Sequence, residues 1–155
     1  MKLKAFVRGF IIKSKKFKRF LQACFKIFYY TIVMKIISWN TNGLRATAKQ
    51  GFFIPLFKKY KPDVLCLQET KVEPAQLPDD VRNVPGYFSY FSHPKEKKGY
   101  SGVAIYCKEK PREVFYGMGI KNLDTEGRLI GAKFKDFTII NGYFPGRPPL
   151  DIFFV

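Results

Sequence analysis

The sequence predicts an α/β protein with substantial antiparallel strand pairing, and three observations carry that expectation. Two apolar runs, residues 34–39 and 64–67, have the length and composition of strands buried on both faces, with a helix-spaced segment between them. Five short strand-like segments follow residue 85, with few helical patterns among them. Neither a GxGxxG nor a Walker loop is present, so a doubly wound nucleotide-binding sheet is not expected.

The stretch 34–46, MKIISWNTNGLRA, organises the rest. Its first six residues are apolar or small except Lys35, and the run ends in polar Asn40. Asn42-Gly43 then supplies a turn, because both residues tolerate left-handed backbone. In open α/β folds functional groups collect beyond the carboxyl ends of strands, which places Asn40 and Asn42 where chemistry is expected. Residues 46–60 read as one helix with Phe52, Phe53, Leu56, Phe57 and Tyr60 on its apolar face. Pro55 should kink it, unless the helix starts later. Pro62-Asp63 ends the helix and leads into the second apolar run, which stops at Gln68-Glu69-Thr70-Lys71. A carboxylate directly after a buried strand suits a hard cation such as magnesium; a solvated glutamate capping the next segment is the plainer alternative.

Residues 72–85 look like a loop, with Pro74, Pro78 and Pro85 and the acidic Glu73, Asp79 and Asp80. Residues 87–93, 102–107 and 112–116 read as strands or extended segments. Asp124 to Gly127 forms a turn, residues 128–134 and 137–143 pair as a hairpin, and Lys135-Asp136 is its tip. Residues 146–155 end in an apolar run with little around it to cover it.

The chain has 155 residues, enough for one domain with a real core. Its 28 Lys plus Arg against 12 Asp plus Glu give a formal charge of +16, which points to nucleic acid or an anionic membrane as partner. Residues 1–33 hold nine basic and no acidic residues, leaving the remainder at a net +7. In that extension Phe6, Phe10, Phe17, Phe20 or Leu21, Cys24 and Phe28 recur at helical spacing among lysines, a pattern for a basic amphipathic helix on a membrane or nucleic acid. It is too charged to span a bilayer. Met34, immediately before the first strand, would equally serve as a natural first residue, making the extension incidental. The three cysteines show no ligand spacing or disulfide framework, so a reducing, cytoplasmic setting is expected.

Five motifs together identify a family. The strand and turn of residues 35–46, PDVLCLQETK (62–71), GYSGVAIY (99–106), Glu126-Gly127-Arg128 and NGYFP (141–145) occur in the order seen in exodeoxyribonuclease III-type AP (apurinic/apyrimidinic) endonucleases. The chain closely resembles that family, within the endonuclease/exonuclease/phosphatase superfamily. The resemblance implies a four-layer α/β sandwich of the DNase I-like type, of which about the first half is present. It divides the chain into the extension 1–33, the N-terminal part of a nuclease domain at 34–145 and a divergent tail at 146–155. It implies a magnesium-dependent phosphodiesterase, with manganese as an alternative ion, acting as AP endonuclease and 3′→5′ exodeoxyribonuclease on double-stranded DNA with abasic sites or 3′ ends.

Residue by residue, the resemblance implies catalytic roles for Tyr143, whose hydroxyl approaches the scissile phosphate, and for Asn40, which orients the network. It implies metal ligation by Glu69 with Asn42 beside it, and substrate contact by Gln68, Tyr100 and Ser101. Arg128 is expected to be structural. Complete members supply an Asp-x-Asn pair, a further Asp and an Asp-His pair that this sequence does not match; His93 stands in the wrong context to substitute. The chain is therefore expected to be an inactive fragment whose facing sheet is missing, leaving an apolar face open. A complete member is expected to be monomeric, with no obligate protein partner. The alternatives are another metal-dependent phosphatase or non-specific nuclease of the superfamily, or a non-catalytic basic fragment that binds nucleic acid or membrane.

Overall fold

The apolar runs and turn residues form seven strands and three short α-helices in a computed structural model that describes residues 34–95, 97–120 and 124–145. The expectations for the 1–33 extension and the 146–155 tail lie outside the described residues. In order, the elements are β1 (Ile36–Asn40), α1 (Leu44–Lys49), α2 (Phe53–Tyr60), β2 (Val64–Gln68), a 3₁₀ turn (Pro74–Gln76), α3 (Asp79–Arg82), β3 (Phe88–Ser92), β4 (Val103–Cys107), β5 (Glu113–Tyr116), β6 (Leu129–Lys133) and β7 (Thr138–Gly142). They build two sheets. Sheet A runs β1-β2-β4-β3, with β1 parallel to β2 and the other pairs antiparallel. Sheet B is the antiparallel meander β5-β6-β7.

Alternation along β2 and β4 places the core. Leu65, Leu67, Ala104 and Tyr106 face the helices, where Leu44, Phe53 and Phe57 meet them. Tyr106 is the hub: its ring packs edge-on against Phe53, Phe57 and Phe91 at centroid distances of 5.4, 5.5 and 5.6 Å. Its hydroxyl is satisfied by donating to the Val81 carbonyl at 2.8 Å. The opposite residues, Val64, Cys66, Val103, Ile105 and Cys107, meet Ile130 and Ala132 of sheet B. The described residues therefore form three layers: helices, sheet A and sheet B.

Four expectations need correction. The helix expected over residues 46–60 is two helices, because Gly51 at φ +78° breaks the run. For Pro55 the stated alternative holds: its helix starts later, so Pro55 sits in the first turn of α2, where its missing N–H has no intrahelical acceptor to serve, and causes no kink. The 72–85 loop contains the 3₁₀ turn and α3, which Asp79 and Asp80 open in its first turn. β1 is not buried on both faces: Ile37 and Trp39 pack on the helical side, while Ile36, Ser38 and Asn40 are exposed. Nor is the facing sheet absent. Three of its strands are present and cover β2 and β4, and the cover stops short of β1. Among the described residues, no helix is long and apolar enough to cross a membrane.

Phe53 is fully buried and touches both Phe57 and Tyr106. Phe53→Ala should cost about 3–5 kcal/mol, the usual loss for a buried aromatic ring. Urea unfolding followed by circular dichroism would measure it.

Candidate active site

Asn40, Gln68 and Ser92 end their strands and Val103 starts β4 at one rim of sheet A, since Asn40 pairs Gln68 and Gln68 pairs Val103. The β1–α1 turn is fastened to the chain beyond β2. Thr41 N, Gly43 N and Leu44 N donate to the carbonyls of Gln68, Glu69 and Thr70 at 3.0, 2.7 and 2.9 Å. On the other side Thr70 N and Lys71 N donate to Gly102 O and Ser101 O at 3.0 and 2.8 Å. Of the five described non-glycine residues with positive φ, four stand here: Asn42, Glu69, Lys71 and Ser101. Left-handed backbone costs roughly 1–2 kcal/mol per such residue, so the flanking bonds must hold it. Gly102 is required as glycine, because a Cβ there would collide with the Thr70 hydroxyl.

This backbone presents Glu69 to sheet B. The Tyr143 hydroxyl donates to Glu69 Oε1, and Lys71 Nζ lies 3.2 Å from Glu69 Oε2. Lys71 also donates to Asn42 Oδ1 at 2.5 Å, and Asn42 N donates to Asn40 Oδ1 at 3.0 Å. The Tyr143 hydroxyl, foremost, then the Lys71 ammonium and the Asn40 amide hold the Glu69 carboxyl below the usual glutamate range, against the opposing effect of partial burial. Burial, reinforced by the Glu69 carboxylate, pushes the Tyr143 phenol up to about 12. At neutral pH the pair is therefore a carboxylate beside a protonated phenol.

Tyr143 is itself anchored. Its N–H donates to Arg128 O at 2.8 Å, and the Arg128 guanidinium lies over its ring at 5.4 Å. Arg128 also donates to Glu126 and, at 2.6 Å, to the Tyr100 hydroxyl, while Lys97 caps the Tyr100 ring at 4.4 Å. The structure thus brings Asn40, Asn42, Glu69 and Tyr143 together and joins Tyr100 to them through Arg128. Gln68 points into a polar cross-link, donating to Ser38 Oγ at 3.1 Å and Asn141 Oδ1 at 2.6 Å. Ser101 is buried, and its hydroxyl has no partner among the described residues.

Two residues that sequence reasoning passed over matter here. Lys71 stands between Glu69 and Asn42. Asn141, 2% exposed, donates through Nδ2 to Leu67 O and Ala104 O, both at 2.9 Å, and so ties sheet B to sheet A. A signal for it existed: it lies two residues before Tyr143 on the same face of an otherwise apolar strand.

Among the described residues no three His, Cys, Asp or Glu side chains gather as a metal cluster. Glu69 Oε2 and Asn42 Oδ1 are hard oxygen donors with a positive charge already lodged between them. That fits one edge of a magnesium sphere, an ion that commonly takes one or two carboxylates and fills the rest with water and phosphate oxygens.

Residues 37–153 match the family model described as the Endonuclease/Exonuclease/phosphatase family, a match that runs past Pro145 into the stretch expected to diverge. The chain is 46% identical over 113 residues to the DNA repair nuclease APEX1 of Danio rerio, covering 72% of this chain and 36% of the relative. It is 39% identical over 112 residues to an exodeoxyribonuclease of Bacillus subtilis, covering 72% and 43%. The solved AP endonuclease of Archaeoglobus fulgidus superposes with a TM-score of 0.61 at 39% identity, over 72% of this chain and 41% of that one. The chain thus spans less than half the length of these relatives.

Asn141→Ala should lower stability by about 2 kcal/mol or more, because two buried carbonyls lose this donor and the Gln68 amide keeps only Ser38 of its two acceptors; chemical denaturation would register it. The Glu69 value is lowered on folding, so its contacts contribute stability above the ordinary glutamate range, about 4.3, and lose it as pH falls through the lowered value. The stability gap between the native protein and Glu69→Gln should therefore be widest near neutrality and shrink on acidification, which urea melts at pH 7 and pH 3 would show.

Proposed function

The chain belongs to the endonuclease/exonuclease/phosphatase family, and from that premise we propose that its strand-end cluster binds a divalent ion and a DNA phosphodiester as part of an AP endonuclease and 3′→5′ exodeoxyribonuclease site. One observation carries this reading: an ionised Glu69 clasped between the Tyr143 hydroxyl and the Lys71 ammonium, with Asn40 and Asn42 alongside. Magnesium, or manganese in its place, would be held by Glu69 and Asn42 and would polarise the phosphoryl oxygens and steady the leaving oxygen.

The chain's own groups divide the remaining work. Tyr143, kept protonated, has an O–H to offer a phosphate oxygen once Glu69 turns to a cation. Lys71 supplies positive charge beside the same oxygens. Asn40 holds the β1–α1 turn by accepting from Asn42 N, which aims the Asn42 amide oxygen. Tyr100 and Ser101 border the site on the β4 side, and Arg128 fixes both Tyr100 and Tyr143. The net +7 of residues 34–155 favours a duplex backbone. The relatives' names, a DNA repair nuclease, an exodeoxyribonuclease and an AP endonuclease, support DNA as the substrate class, and the reading here is double-stranded DNA with abasic sites or 3′ ends. Free, buried Cys66 and Cys107 suit a reducing, cytoplasmic setting.

The described cluster supplies one carboxylate and no general base, so binding is expected of it and hydrolysis is not. In fluorescence anisotropy the purified chain should bind an abasic duplex with an affinity that falls as salt rises, and Glu69→Gln should remove the increment that magnesium adds. Incubation with abasic duplex and magnesium should leave the strand intact. Magnesium-dependent cleavage lost in Glu69→Gln would overturn the incomplete-site reading. Release of phosphate from a sugar phosphate, with no duplex binding, would favour a phosphatase.

A further inference from the structure

Positive charge gathers at the end of sheet A remote from the Glu69 cluster. Ile36, Val64, Cys107 and Phe88 form one row across β1, β2, β4 and β3. The chain just outside that row carries Lys35, the lysines 58, 59 and 61 at the end of α2, and Lys108 and Lys110 after β4, against Asp63 and Glu109. That net +4 is more than half of the +7 on residues 34–155. Hydrogen bonds knit these segments together. Lys35 Nζ donates to Tyr60 O at 2.8 Å, and Lys108 Nζ donates to Lys61 O and Asp63 Oδ1 at 2.9 and 2.8 Å. Those two ammonium groups serve the fold. Lys58, Lys61 and Lys110 are exposed, and their ammonium groups have no partner among the described residues. The length of β2 separates Asp63 from Glu69, roughly 20 Å at about 3.3 Å per strand residue. Charges at that distance are screened over about 8 Å at physiological salt, so this patch adds little to a phosphate held at Glu69.

Two further features set the patch apart from a merely solvated face. Lys61 is the fifth non-glycine residue with positive φ, at +47°, and it lies away from the strained rim that holds the other four. It ends α2 in the left-handed conformation that glycine usually supplies, so a lysine there keeps a charge against a backbone penalty. Tyr60 and Phe88 are 45% and 43% exposed beside these charges. Lys59 Nζ stands 5.0 Å from the Tyr60 ring centroid, and the Tyr87 hydroxyl donates to Pro62 O at 2.8 Å, which sets the start of β3 against residues 60–63. Lysines interleaved with exposed rings suit a single strand of nucleic acid, whose phosphates meet ammonium groups and whose unstacked bases meet rings. An acidic peptide needs the charges but not the rings, and a duplex keeps its bases stacked away from them.

We propose that this end of sheet A is a second nucleic-acid contact, separate from the Glu69 cluster, that holds a single strand by its phosphates on Lys58, Lys61 and Lys110 and by bases stacked on Tyr60 and Phe88. The test titrates the full chain into fluorescein-labelled oligothymidylate without magnesium and reads anisotropy over a range of salt. Replacing Lys58, Lys61 and Lys110 together by Glu should weaken binding about tenfold or more and lower the slope of log affinity on log salt by about two, at about 0.7 per lost contact. Lys61→Glu alone should weaken binding more than Lys49→Glu, the same change of charge placed on α1. Tyr60→Ala should weaken it about fivefold or more and leave the salt slope unchanged, because stacking releases no counterions. Circular dichroism would show each variant folded. Equal effects of Lys61→Glu and Lys49→Glu, or no effect of Tyr60→Ala, would overturn the proposal. So would binding to phosphatidylserine vesicles or to polyglutamate that these variants abolish while oligothymidylate binding persists. The increment that magnesium adds to abasic-duplex binding should survive Lys61→Glu; its loss would merge the two sites and also overturn the proposal. Failure of the magnesium increment in the native chain, with oligothymidylate binding as described, would count against the Glu69 site alone.

Discussion

The amide of Asn141 is the contact on which the strand-end cluster depends. It donates twice across the gap between sheets, to Leu67 O and Ala104 O, and accepts once from Gln68. Apolar contacts press the two sheets together without choosing a register, because burial is proportional to area and has no direction. Hydrogen bonds to two fixed carbonyls do choose one. With sheet B locked in that register, Tyr143, two residues further on and just past the end of β7, is carried to Glu69.

The cluster beyond the strands is held under strain. Asn42, Glu69, Lys71 and Ser101 all adopt left-handed backbone that L-residues avoid, and a web of backbone bonds from the β1–α1 turn and from Ser101 and Gly102 makes each conformation obligatory. Strain concentrated at one rim, with the rest of the sheets regular, is the pattern of a site whose side chains must stand at fixed positions. Electrostatics follows from that backbone. A phenol, an ammonium and an amide converge on one carboxylate, keep it charged, and leave Tyr143 a proton donor.

Among the described residues the uneven cover follows from the mismatch between four strands in sheet A and three in sheet B. β2 and β4 have partners on both sides and cover on both faces, and they form the stable centre. β1 is covered on its helical face only. The rim that carries the Glu69 cluster therefore borders the least covered part of the described sheets, with Asn40 at the end of that strand. Strong positive charge elsewhere on the chain helps keep such a surface soluble, at the expense of attracting polyanions.

Much of this was legible in the sequence. The unbroken apolar runs at β2 and β4 read as strands buried on both faces, and the family resemblance carried by the five ordered motifs assigned Asn40, Glu69 and Tyr143 to one site. Gln50-Gly51 was a local signal for the break between α1 and α2 that the apolar periodicity masked. What the tertiary structure alone decided were relations between distant segments. β1 carries the same apolar signature as β2, yet its outer face is exposed because sheet B reaches no further than β2. Asn141 read only as one residue of a hairpin strand and of the NGYFP motif, yet it meets carbonyls 74 and 37 residues away. Lys71 reads as a solvated charge until the β1–α1 turn brings Asn42 to it. A sequence records which surfaces want burial, but which surface ends up against which depends on strand order and register, and those exist only once the chain has folded.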